Sequence, residues 1–400
     1  MEKDYIKTKK THNILAVLDS KDIYGKELSN IEVYKTLQDH GYNITVLYNK
    51  YATSRMKKEM HQFNAIPTFL PRNLNGKWRI FNYFTATINA NIKLCSLLHK
   101  NKNTILLIPT EIALLYLLPT LLLFYNIKII FRMGDSPIAY RKNDSNILTR
   151  IYSWLWKSII LKRVNCVVSI SQFIKSKLIE YGRIERKEDV VIYNFPPQRH
   201  VITNETINID KTEDNIIFGY LGRIVEDKGV ILLIEATLQL LKENYKISLY
   251  IGGNPQIDPT YYAKIEELLK ANPHSINIHF LGEITNITSF YKQIDVACTP
   301  SIYEEPLGNV IVEAKSFHKP SIIFNKGGMP EIIEHQHNGY ICHNTTTESL
   351  KQAMLYYIIN PQKTITEGKD AYNSINRMGI DKKSYTHKWL NVMESMTINQ

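Results

Sequence analysis

NILAVLDSKDIYGKELSNIEVYKTLQDHGYNITVLY, residues 13–48, decides how the fold is read. Asn13–Leu18 is an apolar run once past Asn13, which predicts a strand buried on both faces. Leu28–His40 has helical spacing and stops at Gly41, and Tyr42–Tyr48 returns to a strand-like run. Strand, helix and strand in that order are the repeating unit of a parallel sheet. The loop after the first strand, DSKDIYGKELSN, has Gly25 as its one glycine, so it is no GxGxxG dinucleotide fingerprint.

Thr104–Ile108, Lys128–Phe131 and Cys166–Ile170 continue the alternation. The periodicity then lapses in NFPPQRHVITNETINIDKTEDN, residues 194–215, whose paired prolines and polar residues mark a linker. It resumes with strands at Asn215–Leu221, Lys246–Ile251, Ile278–Leu281, Val296–Thr299 and Ser321–Phe324, and with helices near Lys228–Glu243 and Asn309–His318. The expected architecture is α/β: two Rossmann-like doubly wound domains facing a cleft. The first covers residues 1–198, the linker 199–214 and the second 215–381; a C-terminal helix at about 382–397 packs back on the first. Ligands of such sheets sit at the carboxyl ends of the strands.

Composition narrows the classes. With 400 residues, 44% hydrophobic and 22% charged, the chain is globular, not disordered, collagenous or a disulfide scaffold. Cys95, Cys166, Cys298 and Cys342 are widely spaced without a CxxC pair, which argues against structural zinc and disulfides and for a reducing cytosol. Residues 1–200 hold 31 Lys and Arg against 15 Asp and Glu, a balance of +16, whereas residues 201–400 balance at −5. A basic half fits an anionic partner. Nucleic acid is disfavoured, because no RNP, KH or helix-turn-helix signature accompanies the charge.

The first twelve residues, MEKDYIKTKKTH, are charged and do not resemble a signal peptide. ILLIPTEIALLYLLPTLLLF, residues 105–124, has the length of a membrane span, yet Glu111, Pro109 and Pro119 favour a strand followed by a buried helix. IYSWLWKSIILKRVN, residues 151–165, mixes Trp154 and Trp156 with Lys157, Lys162 and Arg163, a composition suited equally to an anionic membrane interface or to a core helix.

Two segments carry chemistry. In YLGRIVEDKGVILLIEA (220–236) a strand ends at Leu221, Gly222 permits a tight turn, and Arg223 and Lys228 precede a helix. Two such cations can clamp a diphosphate. In SIYEEPLGNVIVEAKSFHKPSIIFNKGGMPEIIEHQHNGYIC (301–342), Gly308 allows close backbone approach, so the amides of Leu307, Gly308 and Asn309 can face an anion at a helix N-terminus. Glu305 lies in the loop before it and Glu313 two turns into the helix; both can accept bonds from sugar hydroxyls. Each cation or acid taken alone is equally consistent with a solvated loop or a surface helix.

Together GRIVEDKG and EPLGNVIVEA resemble the donor-binding signature of the family 4 glycosyltransferases, retaining enzymes of the two-domain GT-B architecture. KPSIIFNKGGMPEII, NGYIC and QIDVACTPSIYEEP are similar to the same family, and the resemblance runs through most of residues 216–342. VVSISQFIKSKLIEYG and VVIYNFPP extend it into the first half.

The resemblance implies that Arg223 and Lys228 bind the donor pyrophosphate and that Glu305 contacts the transferred sugar. It further implies that Glu313 holds the ribose, and that Leu307, Gly308 and Asn309 offer amides to the phosphates. It implies no cofactor and no metal, with leaving-group charge met by two cations and a helix terminus. The departing phosphate itself helps deprotonate the acceptor hydroxyl on one face of the sugar.

Many members carry a cleft-facing histidine at the end of a first-domain strand. Here IKIIF ends in RMGDSP, so Arg132 or Asp135, with Gly25, is the candidate at the acceptor side, the alternative being a simple turn with Asp135 as a helix cap. The function implied is hexosyl transfer from a UDP- or GDP-type nucleotide-sugar to a glycan or lipid-linked acceptor in cell-surface polysaccharide synthesis. It would take place in the cytoplasm, peripherally on the inner face of the cell membrane. The alternative is a non-catalytic nucleotide- or carbohydrate-binding protein of the same fold.

Overall fold

The computed structural model describes residues 12–72, 78–101, 103–137, 147–196 and 215–398. The chain divides into two compact units, Met1–Ile192 with Tyr385–Gln400, and Tyr193–Ser384.

In the first unit β1 (Asn13–Leu18), β2 (Asn43–Asn49), β3 (Asn64–Thr68), β4 (Thr104–Ile108), β5 (Lys128–Met133), β6 (Cys166–Ser169) and β7 (Val190–Val191) form one parallel sheet in the order β3-β2-β1-β4-β5-β6-β7. The connecting helices are α1 (Gly25–Asp39), α2 (Ser54–Met60), α3 (Arg79–Lys100), α4 (Glu111–Tyr116), α5 (Leu118–Leu123), α6 (Ile147–Leu155) and α7 (Gln172–Glu180). A π-helical turn at Trp156–Ile160 carries α6 on to Arg163. The sheet order reverses between β1 and β4, the switch point at which doubly wound sheets leave a crevice. Both strands are apolar and buried because helices cover both faces.

The second unit has β8 (Ile216–Leu221), β9 (Ile247–Gly252), β10 (Ile278–Gly282), β11 (Val296–Thr299), β12 (Ser321–Phe324) and β13 (Gly339–Cys342), all parallel in the order β10-β9-β8-β11-β12-β13. Its helices are α8 (Val230–Lys242), α9 (Pro259–Lys270), α10 (Ile287–Gln293), α11 (Asn309–Ser316), α12 (Thr347–Ile359) and α13 (Gln362–Arg377). Phe218, Leu233, Leu249, Phe324 and Tyr357 belong to one buried cluster of the core. The chain ends in α14 (Lys382–Ile398), whose residues from Tyr385 belong to the first unit, with Trp389 fully buried.

Several expectations are corrected. The packing boundary falls after Ile192 rather than 198. Tyr193 donates to Glu331 at 2.9 Å and Asn194 to Asn309 at 2.8 Å, which ties both residues to the second unit. The expected linker, 199–214, lies outside the described residues. The helix anticipated from Lys228 is a 3-10 turn at Glu226–Lys228, then Gly229 in the left-handed region, then α8. In 105–124 the strand is followed by two short helices, since Pro119 starts a new one. β3 was not anticipated because Pro67 disrupts its pattern; as an edge strand it tolerates the missing donor. Among the described residues no helix is long and apolar enough to cross a membrane.

Candidate functional site

In the second unit, the loops leaving β8, β9 and β12 and the loop before α11 fit against one another through backbone contacts that glycine permits. The Gly222 N–H donates to the Gly252 carbonyl at 3.0 Å, and a Cβ on Gly253 would stand 2.1 Å from the Gly222 oxygen. The buried Tyr220 hydroxyl donates to the Arg223 carbonyl at 2.6 Å, fixing the loop that presents Arg223. Burial pushes that phenol well above its usual range, so it acts as a donor. The Arg223 side chain is half exposed, with Asp227 at 3.9 Å.

Lys228 is joined to Glu305, 77 residues on in sequence, by an ion pair. The Glu305 carboxylate also accepts from the Ser301 hydroxyl at 3.0 Å. Backbone bonds hold the two loops: the amides of Ile302 and Tyr303 donate to the Asp227 carbonyl at 2.9 and 3.1 Å. Gly229 permits this closeness, having φ +68° and a hypothetical Cβ 2.0 Å from the Pro300 oxygen. On the other side, Gly328 N–H donates to Glu305 O at 2.7 Å, and Gly327, at φ +59°, leaves no room for a Cβ beside the Glu305 backbone. The KGG of residues 326–328 thus seats Glu305.

Gly308, at φ +87°, caps α11 at its N-terminus. The first backbone donor into that turn is Ile311, to Gly308 O at 2.9 Å, so the amides of Leu307, Gly308 and Asn309 precede the intrahelical ladder. Leu307 is itself buried and anchors the loop. Glu313 lies one turn into α11, not two, and is 6% exposed. The Tyr291 hydroxyl, which donates to the Val310 carbonyl at 3.1 Å, lies 3.5 Å from its Oε2, and with this burial Glu313 is not a solvated helix acid. Gly222, Arg223, Lys228, Glu305, Leu307, Gly308, Asn309 and Glu313 therefore all lie on the loops and helix start at the carboxyl ends of β8 and β11. Among the described residues no group of three or more His, Cys, Asp and Glu could hold a metal ion.

In the first unit the candidates separate. Arg132 is 2% exposed and donates to Asn30 at 2.6 Å and to Ser29, both on α1. It is a packing residue, which corrects the expectation that it faces a ligand. Gly25 is the exposed first residue of α1. Asp135 lines a cavity of about 170 Å³ with Lys26, Arg72, Thr110 and Glu111. Burial lowers the pKa of Lys26, and Asp135 opposes that shift.

Sequence reading missed Asp19, which is 1% exposed. It accepts from Arg72 at 2.5 Å and from Thr110 at 3.0 Å. Its place directly after β1, with Thr110 just past β4, was the available signal: both sit at the switch point. The stretch 151–165 divides: Trp154, Lys157 and Lys162 are exposed, whereas two of its named residues are not. Trp156 is in the core, and the buried Arg163 spends its guanidinium on the carbonyls of Leu121, Phe124 and Ile127.

The family description "Glycosyltransferase Family 4" matches residues 25–195 and "Glycosyl transferases group 1" matches 201–373. The chain belongs to the family 4 glycosyltransferases, with the GT-B fold. Similar curated proteins include the capsular polysaccharide biosynthesis glycosyltransferase CapM of Staphylococcus aureus, 24% identical over 47% of this chain and 50% of that protein. The lipopolysaccharide core biosynthesis mannosyltransferase LpcC of Rhizobium leguminosarum is 22% identical over 54% and 60%. The chain spans about half the length of the curated relatives it matches. Among solved structures, a glycosyltransferase from Rickettsia africae aligns at TM-score 0.77 with 20% identity, over 98% of this chain and all of that one. Anabaena HepE in complex with UDP and glucose aligns at 0.75 with 19% identity, over 96% and 100%.

Proposed function

We propose that this protein transfers a hexosyl group, with retention, from a UDP- or GDP-type nucleotide-sugar to a glycan or lipid-linked acceptor in cell-surface polysaccharide synthesis. The observation that carries the reading is the convergence of Lys228, Glu305 and the α11 N-terminus from segments 77 residues apart. CapM, LpcC and the UDP-bound HepE are similar proteins whose names point the same way.

The chemistry follows from the groups present. Before donor arrives, Lys228 and Glu305 neutralise each other. A diphosphate offers Lys228 a denser anion, so the ammonium turns to the phosphates and Glu305 is released to accept from a sugar hydroxyl. Arg223, exposed and fork-shaped, takes the second phosphate. The α11 amides meet the same charge at the helix terminus. As the glycosidic C–O bond breaks, negative charge grows on the β-phosphate oxygen, and preorganised cations stabilise it more than they stabilise the bound donor. That oxygen then accepts the acceptor's proton as the new bond forms on the same face. Glu313, with the Tyr291 hydroxyl beside its Oε2, accepts from the ribose hydroxyls. No metal takes part in this scheme, so chelator leaves turnover unchanged.

The acceptor side belongs to the first unit, at the Asp135 cavity and Gly25. The basic balance of residues 1–200 suits a peripheral place on the cytoplasmic face of an anionic membrane. A thermal-shift panel of UDP-, GDP-, ADP- and dTDP-sugars tests the donor reading, because a ligand that binds only the folded chain raises its stability. A shift with one UDP- or GDP-sugar, followed by its slow hydrolysis, supports the reading; no shift with any of them removes it.

A further inference from the structure

Helix α3 carries two apolar stripes, and only one is covered. Ala86, Ala90, Leu94 and Leu98 recur every fourth residue and are buried in the first unit. Ile80, Phe84, Ile88 and Ile92 recur at the same spacing about 120° round the helix and are 44 to 87% exposed. Trp78 and Phe81 extend this second stripe and are also exposed. From Asn91 onward the helix gains a neighbour. Asn91 donates to Tyr116 O at 2.8 Å and accepts from Thr120 of α5, and the His99 ring packs on Phe124. The turns before Asn91 have aromatic and branched residues on the outside, where a helix of a water-facing domain carries polar ones.

The charge around the stripe selects its partner. Residues 60–110 contain no Asp or Glu, and six Lys and Arg. Of these, Arg79, Lys93 and Lys100 are exposed on α3 itself. An apolar helix face whose own segment carries cations and no acid matches a surface with an acyl layer beneath anionic headgroups. A second copy of the chain would set these cations against each other.

We propose that the outer face of α3, from Trp78 to Ile92, docks in the interfacial layer of an anionic bilayer. Its rings and branched side chains enter the acyl boundary, and Arg79, Lys93 and Lys100 lie at the headgroup phosphates. This rests on the peripheral-membrane reading above and moves the contact from 151–165 to α3.

The test uses the full chain and vesicles of phosphatidylcholine with or without phosphatidylglycerol, followed by co-sedimentation and tryptophan fluorescence. Wild type binds the anionic vesicles at low salt. The triple variant F81S/F84S/I88S partitions at least about tenfold more weakly with its thermal unfolding unchanged, since all three residues are exposed. K93E/K100E loses binding at low salt, where charge is least screened. I151S/W154S, on α6, binds like wild type. If the triple variant binds as well as wild type, α3 is not the contact, although the membrane reading stands. If wild type ignores anionic vesicles, both fall; if wild type instead self-associates and the triple variant does not, the face belongs to a second copy. UDP titration without vesicles follows the donor site separately.

Discussion

The two sheets double back at their central strands and assemble polar groups there in opposite ways. At the end of β8 and β11 the charged groups stand on loops locked by glycine contacts, with Lys228 and Glu305 paired and Arg223 half exposed. At the end of β1 and β4, Asp19 is buried beneath Arg72, Thr110 and Asn49, and Arg72 and Thr110 in turn line a small cavity with Lys26, Glu111 and Asp135. The first arrangement leaves its charges exchangeable, as the proposed donor site requires. The second uses charge to fix the strand ends.

The sharpest way to break this contrast is a pair of alanine substitutions read for both stability and turnover. Asp19→Ala strands Arg72 and should lower stability by about 3–5 kcal/mol, the usual loss when one partner of a buried pair is removed. Lys228→Ala should lose about 2–4 kcal/mol of transition-state stabilisation and much less stability. Urea unfolding and donor hydrolysis on both variants would refute the contrast by reversing that order.

Two glycines sharpen it further. Gly229→Ala drives a Cβ onto the Pro300 oxygen and should part the two donor loops, abolishing nucleotide binding. Gly282→Ala has a similar φ of +69° but open space around it, and should cost about 1 kcal/mol with binding intact. Equal effects in thermal unfolding and nucleotide titration would show that backbone strain alone, and not loop contact, is at stake.

A smaller effect concerns α11. Lys315 is fully buried, donates to Ser374 at 2.8 Å, and burial lowers its pKa to about 7. Between that value and the ordinary lysine range the unfolded chain holds a proton that the folded chain has released. Stability should therefore rise with pH across this window, and the penalty should be complete below about 7. Lys315→Met should remove that slope in unfolding curves recorded from pH 6 to 10.

Legibility in the sequence follows the same division. Arg223, Lys228, Gly308 and Glu313 sit in two short segments, each with its own strand end and helix start, so local pattern exposes them. The parallel order of the sheets was legible from strand and helix alternation for the same reason. Asp19, Arg72 and Thr110 are scattered over ninety-one positions, and only tertiary pairing joins them. Arg132 looked available because it follows an apolar strand, yet its guanidinium turns inward to α1. In 151–165 composition alone does not separate the buried Trp156 and Arg163 from the exposed Trp154, Lys157 and Lys162. KGG at 326–328 was visible as a motif, but its task of seating Glu305 depends on a fold contact.

The donor site stands or falls on the division of labour between its two glutamates. Calorimetric titration of the free nucleoside diphosphate of the preferred donor into wild type, Glu305→Ala and Glu313→Ala measures that division directly. Glu313→Ala should weaken binding about tenfold, the loss of charge-assisted bonds to the ribose hydroxyls. Glu305→Ala should bind the nucleotide at least as tightly as wild type, because Lys228 is then freed from its ion pair, while losing sugar transfer. Equal losses of nucleotide affinity in both variants, or none in either, would contradict the assignment.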